Sequence, residues 1–195
     1  MKILIVDDEA LALSRLKRML NTLGYEDITE ADNPTDALEL VKKERFDIAL
    51  LDINMPGSSG LELGYELRYN QDDLAIIFQT AYDEHALKAF DIGAVGYLVK
   101  PFSIEQLEST IERVKVKDKS SEELRIMSKA GDNYYLLKPH EIYYIQADLS
   151  EVMIRSIKGF SYYAQKISDL EKKLETHDFV RDSPEHNRKL FRQLN

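Results

Sequence analysis

The amino-acid sequence predicts an α/β fold over residues 1–117, a five-stranded, doubly wound parallel sheet, followed by a small, mostly-β domain. Apolar strand-like runs alternate five times with amphipathic helical segments over residues 1–117. This alternation is typical of a parallel sheet with helices on both faces. The highly charged segment 118–123 is predicted to be a linker. Beyond it, residues 124–195 contain short β-like runs separated by turn residues, which favours a second domain.

The composition is that of a globular protein. The 195 residues are 44% hydrophobic and 31% charged, and no apolar run approaches the roughly 18 residues that a membrane span needs. The amino-terminal apolar run is too short for a signal peptide. The chain has no cysteine, which excludes disulfides and thiolate metal sites. We therefore predict a cytoplasmic protein with no membrane partner.

The charge is distributed unevenly between the two predicted domains. In residues 1–117 there are 22 acidic and 13 basic residues, whereas residues 124–195 contain 10 acidic and 12 basic residues. The first domain is therefore expected to repel nucleic acid and is able to hold a cation. The second domain is weakly basic, which permits DNA binding without arguing for it.

Local patterns predict the individual elements of the first domain. Asn33 is suited to cap a helix that begins at Pro34, Ser103 and Gln106 resemble a capping box, and Gly24 is a plausible helix stop. The strands are predicted at residues 2–6, 28–31, 46–52, 74–80 and 96–100, and the helices at 11–20, from 34, near 61–69, near 84–90 and from 104.

Three carboxylates follow two strands that are neighbours in a sheet of this kind. Asp7 and Asp8 come directly after the first strand, and Asp52 ends the third. Functional groups collect at the carboxyl ends of parallel strands, where three carboxylates would repel one another. A hard divalent cation such as Mg²⁺ relieves this repulsion. Asp7 and Asp8 alone are as well explained by a solvated helix start, but the addition of Asp52 favours a metal site.

Asp52 has the chemistry of a nucleophile, since carboxylates form acyl phosphates in some phosphoryl transfers. Thr80 ends the fourth strand and is able to donate a hydrogen bond to a phosphoryl oxygen. Lys100 ends the fifth strand and supplies a cation. Alone, Thr80 is equally a turn residue and Lys100 a surface charge. The following Pro101 favours an extended or cis junction, which predicts a turn that aims Lys100 over the strand ends.

These motifs together resemble the receiver (CheY-like) domain of two-component response regulators. The matching stretches are Asp7-Asp8, Asp52 with Met55-Pro56-Gly57, Thr80-Ala81 and Lys100-Pro101-Phe102. The resemblance implies that Asp52 accepts a phosphoryl group from the phosphohistidine of a sensor histidine kinase, and that Thr80 and Lys100 hold this group. It also implies Mg²⁺ as the cofactor, bound by Asp8, Asp52 and the backbone carbonyl of Asn54, with Asp7 acting partly through water.

Tyr97 lies three residues before the lysine, where the family has its switch aromatic. The resemblance implies that Thr80 moves toward the new phosphoryl group and that Tyr97 turns into the space released. As an ordinary strand residue Tyr97 would be half-buried, and the two interpretations are compatible. A phosphorylation-dependent homodimer or partner surface is then expected at Phe90, Ala94 and residues 83–91 and 103–115.

The second domain, over residues 124–181, resembles the LytTR type of DNA-binding domain, which implies promoter DNA as a partner. The supporting stretches are Ile142-Tyr-Tyr-Ile-Gln-Ala, Glu151-Val-Met-Ile, Gly159-Phe, Leu170-Glu-Lys-Lys-Leu174 and Phe179-Val-Arg181. Ser168 is predicted to cap a helix that runs to about Leu174. Beyond Arg181 the chain departs from the family pattern, so we expect this domain to be truncated or divergent at its carboxyl terminus. Arg181, Arg188 and Lys189 are candidate DNA contacts, in a tail better explained as solvated.

Three functions are open on this basis. The leading hypothesis is a transcriptional, DNA-binding output controlled by phosphorylation. The second keeps the receiver domain and gives the second domain a dimerisation or docking role. The third is a phosphohydrolase with an aspartyl-phosphate intermediate. Such enzymes place an acid two residues after the nucleophile, where this chain has Asn54, which cannot transfer a proton. We therefore expect no enzyme, but a phosphoacceptor with at most slow self-dephosphorylation.

Overall fold

The structure is a computed structural model that describes residues 1–56, 59–81, 94–117, 124–148, 151–177, 179–182 and 188–192. The chain divides into two compact units, residues 1–121 and residues 122–195. The division falls inside the segment predicted as a linker, 118–123, which itself lies outside the described residues. The helix predicted near 84–90, and with it residues 83–91 of the expected partner surface, also lies outside them.

The first unit is built on a five-stranded parallel sheet with the strand order β2-β1-β3-β4-β5. This order confirms the predicted doubly wound fold. Both β2 and β3 pair with β1 in parallel. The elements are β1 (Ile3–Val6), α1 (Ala10–Thr22), β2 (Ile28–Ala31), α2 (Pro34–Lys43), β3 (Ile48–Asp52), α3 (Gly60–Asn70), β4 (Ala75–Thr80), β5 (Gly96–Val99) and α4 (Ile104–Lys117).

Helices cover both faces of this sheet, so the strands are mostly apolar, with polar residues such as Asp52 and Thr80 at the carboxyl ends of β3 and β4. Every residue of β1, β3 and β4 is buried. One face packs against α2 and α3 through residues such as Leu4, Leu51 and Phe78. The opposite face packs against α1 and α4 through residues such as Ile5 and Ile77. Since apolar side chains fill both faces of the sheet, its polar functional groups are expected at the strand ends.

The helix boundaries in the first unit follow the capping residues. Asn33 Oδ1 accepts a hydrogen bond from the Asp36 N–H at 2.9 Å, with Pro34 as the first helical residue. Ser103 and Gln106 form the predicted capping box. Helix α1 ends just before Gly24, whose φ of 85° only glycine adopts readily. In the described parts of the chain, no helix is long and apolar enough to cross a membrane.

In its described residues the second unit is a seven-stranded antiparallel sheet with one α-helix, which confirms the predicted mostly-β domain. Its strand order is β11-β12-β8-β9-β10-β6-β7. Helix α5 contributes Ile167, Leu170 and Leu174 to the core of this unit. The elements are β6 (Ile126–Ala130), β7 (Asn133–Leu137), a 3₁₀ turn (Pro139–Glu141), β8 (Ile142–Asp148), β9 (Glu151–Ser156), β10 (Gly159–Tyr163), α5 (Ile167–Leu174), β11 (Phe179–Asp182) and β12 (Arg188–Arg192).

Two predictions for the second unit are wrong. Helix α5 begins at Ile167 and is preceded by Lys166, so Ser168 lies in the first helical turn and caps nothing. The solvated tail is not observed over residues 188–192, which form β12 between β11 and β8. Leu190 pairs with Ile145 of β8 in this ladder. The pairing satisfies backbone groups that the edge of β8 would otherwise present to solvent.

A carboxylate and lysine cluster at the strand ends

Asp7, Asp8 and Asp52 come together at the carboxyl edge of the parallel sheet. One carboxylate oxygen of each lies within 4.8 Å of the others. Asp7 is completely buried and Asp52 is 6% exposed, whereas Asp8 is exposed. The proximity follows from the strand order, because β1 and β3 are neighbours and Val6 pairs with Leu51. The structure therefore brings together the three acids that the sequence pattern singled out.

Lys100 places its ammonium group between two of these carboxylates. Its Nζ lies 2.7 Å from Asp7 Oδ2 and 3.3 Å from Asp52 Oδ2. The lysine follows β5 directly, and its backbone N–H donates to the Thr80 carbonyl at 2.7 Å. The Lys100–Pro101 bond is cis, as the sequence allowed. The turn thus aims Lys100 over the strand ends, where its charge offsets part of the carboxylate repulsion.

Asp7 accepts hydrogen bonds on both carboxylate oxygens. The Glu9 backbone N–H donates to Oδ1 at 3.1 Å, and Gln79 Nε2 donates to Oδ2 at 3.4 Å, beside Lys100. Gln79 was not singled out in the sequence, although a polar residue inside the apolar strand β4 was a visible signal. Arg15 was also missed. Its Nη2 donates to the Phe102 carbonyl at 3.1 Å and joins α1 to the turn that carries Lys100.

Thr80 and Asn54 lie on adjacent segments beside Asp52. The Asn54 side-chain amide donates to Thr80 Oγ1 at 3.0 Å. Thr80 is buried and Asn54 is exposed. Tyr97 is half-buried, packs against the core formed with α2 and α3, and pairs with Phe78. The half-buried strand tyrosine expected from the sequence is therefore present, one strand away from the segment that ends at Thr80.

Gly60 lets the chain fold back closely on the end of β3. A Cβ atom at this position would lie 1.9 Å from the Asp52 carbonyl oxygen and 2.8 Å from Ile53 Cα. The Gly60 N–H donates to the Ile53 carbonyl at 2.9 Å. No side chain fits in this space, so glycine is required for the start of α3 to pack on the backbone that carries the Asp52 carboxylate.

The pKa values of Asp52 and Lys100 are both raised in the cluster. Burial raises the pKa of Asp52 above its ordinary value of 3.8, and although Lys100 lowers it, the nearby Asp7 adds to the increase. Burial by itself would lower the pKa of Lys100. The hydrogen bond to Asp7 and the charge of Asp52 outweigh burial, so the pKa of Lys100 lies above 10.5. Lys100 therefore remains protonated at neutral pH, while ionisation of Asp52 is energetically unfavourable without further positive charge.

The donor atoms fit a hard divalent cation. The three side chains offer carboxylate oxygens only, which are ligands that Mg²⁺ accepts, and exposed Asp8 leaves one side of the cluster open to solvent. Within the described residues this is the one group of three or more acidic, histidine or cysteine side chains close enough to share an ion. The buried negative charge that Lys100 leaves uncompensated is the physical reason to expect a cation there.

We expect Asp52→Asn to stabilise the metal-free protein at neutral pH. Because the folded pKa of Asp52 exceeds 3.8, the folded state binds more protons than the unfolded state between these two pKa values. The stability of the wild-type protein must therefore fall as pH rises through this window, and the variant lacks this decrease. Urea unfolding midpoints with a metal chelator, measured across the acidic and neutral range, test the prediction. Parallel pH profiles for the two proteins would contradict it.

The fold is that of a receiver domain, and the sequence comparison agrees. Residues 3–112 match the response regulator receiver domain family, so the chain belongs to this family. The sensory transduction protein LytT of Bacillus anthracis is 33% identical over 196 residues, which cover 93% of this chain and 80% of that protein. The transcriptional regulatory protein LytR of Staphylococcus aureus (strain MW2) is 40% identical over 125 residues, which cover 62% of this chain and 51% of LytR. The chain thus spans about half the length of the LytR proteins it matches.

Solved structures of response regulators share the fold of the first unit. The protein TrrA of Thermotoga maritima, solved in complex with Mg²⁺-BeF, is 38% identical with a TM-score of 0.54 and covers 58% of this chain and 99% of its own. A regulator from Burkholderia pseudomallei, solved with a phosphorylated aspartic acid, a calcium ion and citrate, is 29% identical with a TM-score of 0.53. It covers 62% of this chain and 72% of its own. These similarities confirm the CheY-like fold predicted from the sequence.

Proposed function

We propose that this protein is a response regulator in which Asp52 accepts a phosphoryl group from a sensor histidine kinase and so controls a DNA-binding output. The observation that carries the proposal is the position of Lys100 Nζ, 3.3 Å from Asp52 Oδ2 and 2.7 Å from Asp7 Oδ2. It places a cation beside a nearly buried carboxylate at the strand ends. Charge neutralisation and positioning are what phosphoryl transfer to a carboxylate requires.

In the proposed reaction, an ionised Asp52 oxygen attacks the phosphorus atom of the kinase phosphohistidine. The new bond joins this oxygen to phosphorus, and the bond from phosphorus to the imidazole nitrogen breaks, with its electron pair leaving on the imidazole. Lys100 turns from the carboxylates to a phosphoryl oxygen, and the Thr80 hydroxyl donates to another. Mg²⁺, held by Asp8, Asp52 and the Asn54 carbonyl, with Asp7 partly through water, would supply additional positive charge. The TrrA structure, solved in complex with Mg²⁺-BeF, and the Burkholderia regulator, solved with a phosphorylated aspartic acid, support this chemistry.

The response to phosphorylation is proposed to pass through Thr80 and Tyr97. Thr80 ends β4, and Tyr97 lies on the adjacent strand β5, packed against the core on one face of the sheet. A shift of Thr80 toward the phosphoryl group would open space for the Tyr97 ring to turn inward. The surface altered by the turn of Tyr97 is then proposed to mediate formation of a homodimer. In this proposal, the negative charge added by phosphorylation favours one of two arrangements of Thr80 and Tyr97.

The arrangement around Asp52 favours a phosphoacceptor over an enzyme. A phosphohydrolase of the aspartyl-phosphate type needs an acid or base near the nucleophile. Two residues after Asp52, where such enzymes place that acid, this chain has Asn54. Its side-chain amide donates to Thr80 Oγ1 at 3.0 Å, and an amide does not exchange protons as an acid or base. We therefore propose slow self-dephosphorylation rather than turnover of a substrate.

Mass spectrometry after incubation with Mg²⁺ and a small acyl phosphate tests the phosphoacceptor role. We expect one phosphoryl group on the wild-type protein and none on Asp52→Asn, because the asparagine amide is not a nucleophile under these conditions. Asp73→Asn, which removes an exposed carboxylate paired with Arg45, is the matched control and should be phosphorylated like the wild type. Equal phosphorylation of Asp52→Asn would show that another residue is the acceptor.

The DNA-binding output is proposed from the relatives and from the basic residues of two adjacent strands. LytR is described as a transcriptional regulatory protein. Arg181 lies in β11, and Arg188 and Lys189 lie in β12, which pairs with β11 in register. These three basic residues therefore occur in the edge strand β11 and its neighbour β12, and basic residues are the side chains that contact phosphates.

Fluorescence anisotropy with labelled duplexes of mixed genomic sequence tests this output. We expect affinity to rise on phosphorylation and to fall with added salt. The variant Arg188→Ala/Lys189→Ala should reduce the salt slope by about two, one unit for each phosphate contact. Lys172→Ala, at an exposed position on α5, is the control and should leave the slope unchanged. A phosphorylation-dependent increase in mass by light scattering, without DNA affinity, would instead favour the docking output.

A further inference from the structure

Asp7 Oδ2 is the acceptor of two N–H donors that lie at unequal distances. Lys100 Nζ is 2.7 Å away, within normal hydrogen-bond range, whereas Gln79 Nε2 is 3.4 Å away. The usual N–H···O separation is about 2.9 Å, so Gln79 makes a weak bond while Lys100 is in place. Asp7 itself has no exposed surface. While Lys100 is in place, solvent therefore does not contact this carboxylate, and Lys100 and Gln79 are the side-chain donors to Oδ2.

Gln79 is fixed through its backbone and has freedom only in its side chain. In β4 it pairs with Asp52 on one side and with Leu98 on the other. It is 2% exposed, yet in the described part of the chain the bond to Asp7 is the one hydrogen bond of its side chain. This bond is therefore the polar contact that orients the Gln79 side chain toward the carboxylate cluster.

A cavity beside this pair gives both side chains room to move. It has a volume of about 370 Å³ and is lined by Gln79, Lys100, Arg15 and Phe102, among other residues. A shift of about 0.5 Å would bring Gln79 Nε2 to the usual separation from Asp7 Oδ2. A rotation of its side-chain amide is sufficient for such a shift, and no change in strand pairing is required.

We propose that Gln79 is a positioning residue that replaces Lys100 as the donor to Asp7 when Lys100 turns to the phosphoryl group. This inference rests on the proposed function, in which Lys100 leaves Asp7. The departure of Lys100 would remove the shorter of the two side-chain hydrogen bonds to Asp7 Oδ2, and Gln79 is the donor that already lies next to the same oxygen. Gln79 thereby keeps Asp7 in place in the state in which phosphoryl transfer occurs. In the unphosphorylated protein, where Lys100 is bonded to Asp7, Gln79 contributes little to holding this carboxylate.

A double-mutant cycle on stability tests the exchange of donors without any phosphodonor. Gln79→Met keeps the approximate shape and removes the N–H groups, and Lys100→Met removes the competing donor. We expect Gln79→Met to change the unfolding equilibrium constant less than threefold when Lys100 is present, and about tenfold more in the Lys100→Met protein, where Gln79 is the remaining side-chain donor to Asp7 Oδ2. Equal effects in the two backgrounds would overturn the proposal.

Gln71 provides the matched control for loss of a buried glutamine amide. It is 3% exposed, and its side chain accepts from the Phe46 N–H and donates to the Val41 and Glu44 carbonyls. Gln71→Met should destabilise the protein by the same factor with or without Lys100, because none of its partners belongs to the carboxylate cluster. Coupling of Lys100 to Gln79 but not to Gln71 distinguishes a positioning role from general packing.

The rate of phosphorylation by a small acyl phosphate gives a second readout, which also serves if Lys100→Met does not fold. At saturating Mg²⁺ and donor, Gln79→Met should be phosphorylated about tenfold more slowly than wild type, since the donor is lost in the state that Lys100 has left. Folded Gln71→Met should react at the wild-type rate. A wild-type rate for Gln79→Met overturns the inference. Failure of the wild-type protein to take up phosphate would overturn the proposed function instead, and the stability cycle would still report on the exchange of donors.

Discussion

Replacement of Lys100 with methionine is expected to lower the free energy of unfolding of the metal-free protein by about 3 kcal/mol, and to abolish efficient phosphoryl uptake. The ammonium group lies 2.7 Å from Asp7, which is completely buried, and 3.3 Å from Asp52, which is nearly so. Removal of one partner of a buried pair leaves a carboxylate without compensation, which costs about 3–5 kcal/mol. The 26% exposure of the lysine side chain places the expected value at the lower end.

Denaturant unfolding with and without Mg²⁺ measures this effect. The difference between wild type and variant should be largest at neutral pH. Because the pKa of folded Lys100 lies above the unfolded value of 10.5, its contribution is complete below 10.5 and is lost as pH rises through the folded pKa. Mg²⁺ should stabilise the variant more than the wild type, since it supplies the missing positive charge. Lys43→Met, which breaks the exposed Lys43–Glu39 pair, should change stability by less than about 1 kcal/mol.

The second large effect is expected for Gly60→Ala, which should cost about 3 kcal/mol or more. The added methyl group would lie 1.9 Å from the Asp52 carbonyl oxygen. Ordinary overpacking of a core costs about 1–3 kcal/mol because side chains adjust. Here the clash is with backbone, so the end of β3 or the start of α3 must move. The same movement displaces the Asp52 carboxylate, so phosphoryl uptake should fall together with stability.

Gly96 offers a comparison in which a second substitution can remove the steric clash. A Cβ at Gly96 would lie 2.2 Å from Thr110 Cγ2, a side-chain atom of α4. Gly96→Ala should therefore be destabilising, and the addition of Thr110→Ser, which removes that methyl group, should restore much of the loss. No second substitution of a side chain should rescue Gly60→Ala. A change in stability below about 1 kcal/mol for Gly60→Ala would mean that α3 does not approach β3 this closely.

Much of the fold was predictable because the relevant signals are local. The cap at Asn33 and the box at Ser103 act over three residues, so the sequence pattern and the structure agree. The same kind of pattern was misleading at Ser168. There the apolar face of α5, with Ile167 and Leu170 in the core, carries the helix two residues further toward the amino terminus than a serine cap would allow. Packing prevailed over the local capping preference.

The acid cluster was predictable for a different reason. Asp7 and Asp52 each follow or end a buried strand, and a doubly wound order places those strands side by side. The meeting of their carboxylates therefore follows from topology without side-chain detail. Strand β12 had no comparable signal, because its pairing with β8 joins residues about 45 positions apart and its short sequence has no strong β pattern of its own.

The order of apolar runs, the caps and the motif residues by themselves determined the parallel sheet, the two-part chain and the edge at which the acids meet. Only the tertiary structure decided which groups hold Asp7 and the turn that carries Lys100. Gln79 donates to Asp7 across 72 positions of sequence, and Arg15 donates to the Phe102 carbonyl across 87. Periodicity records which face of an element is buried, because burial depends on the apolar surface of each residue. A hydrogen bond between distant residues depends on angles and distances between packed elements, and these arise only when the whole sheet has formed.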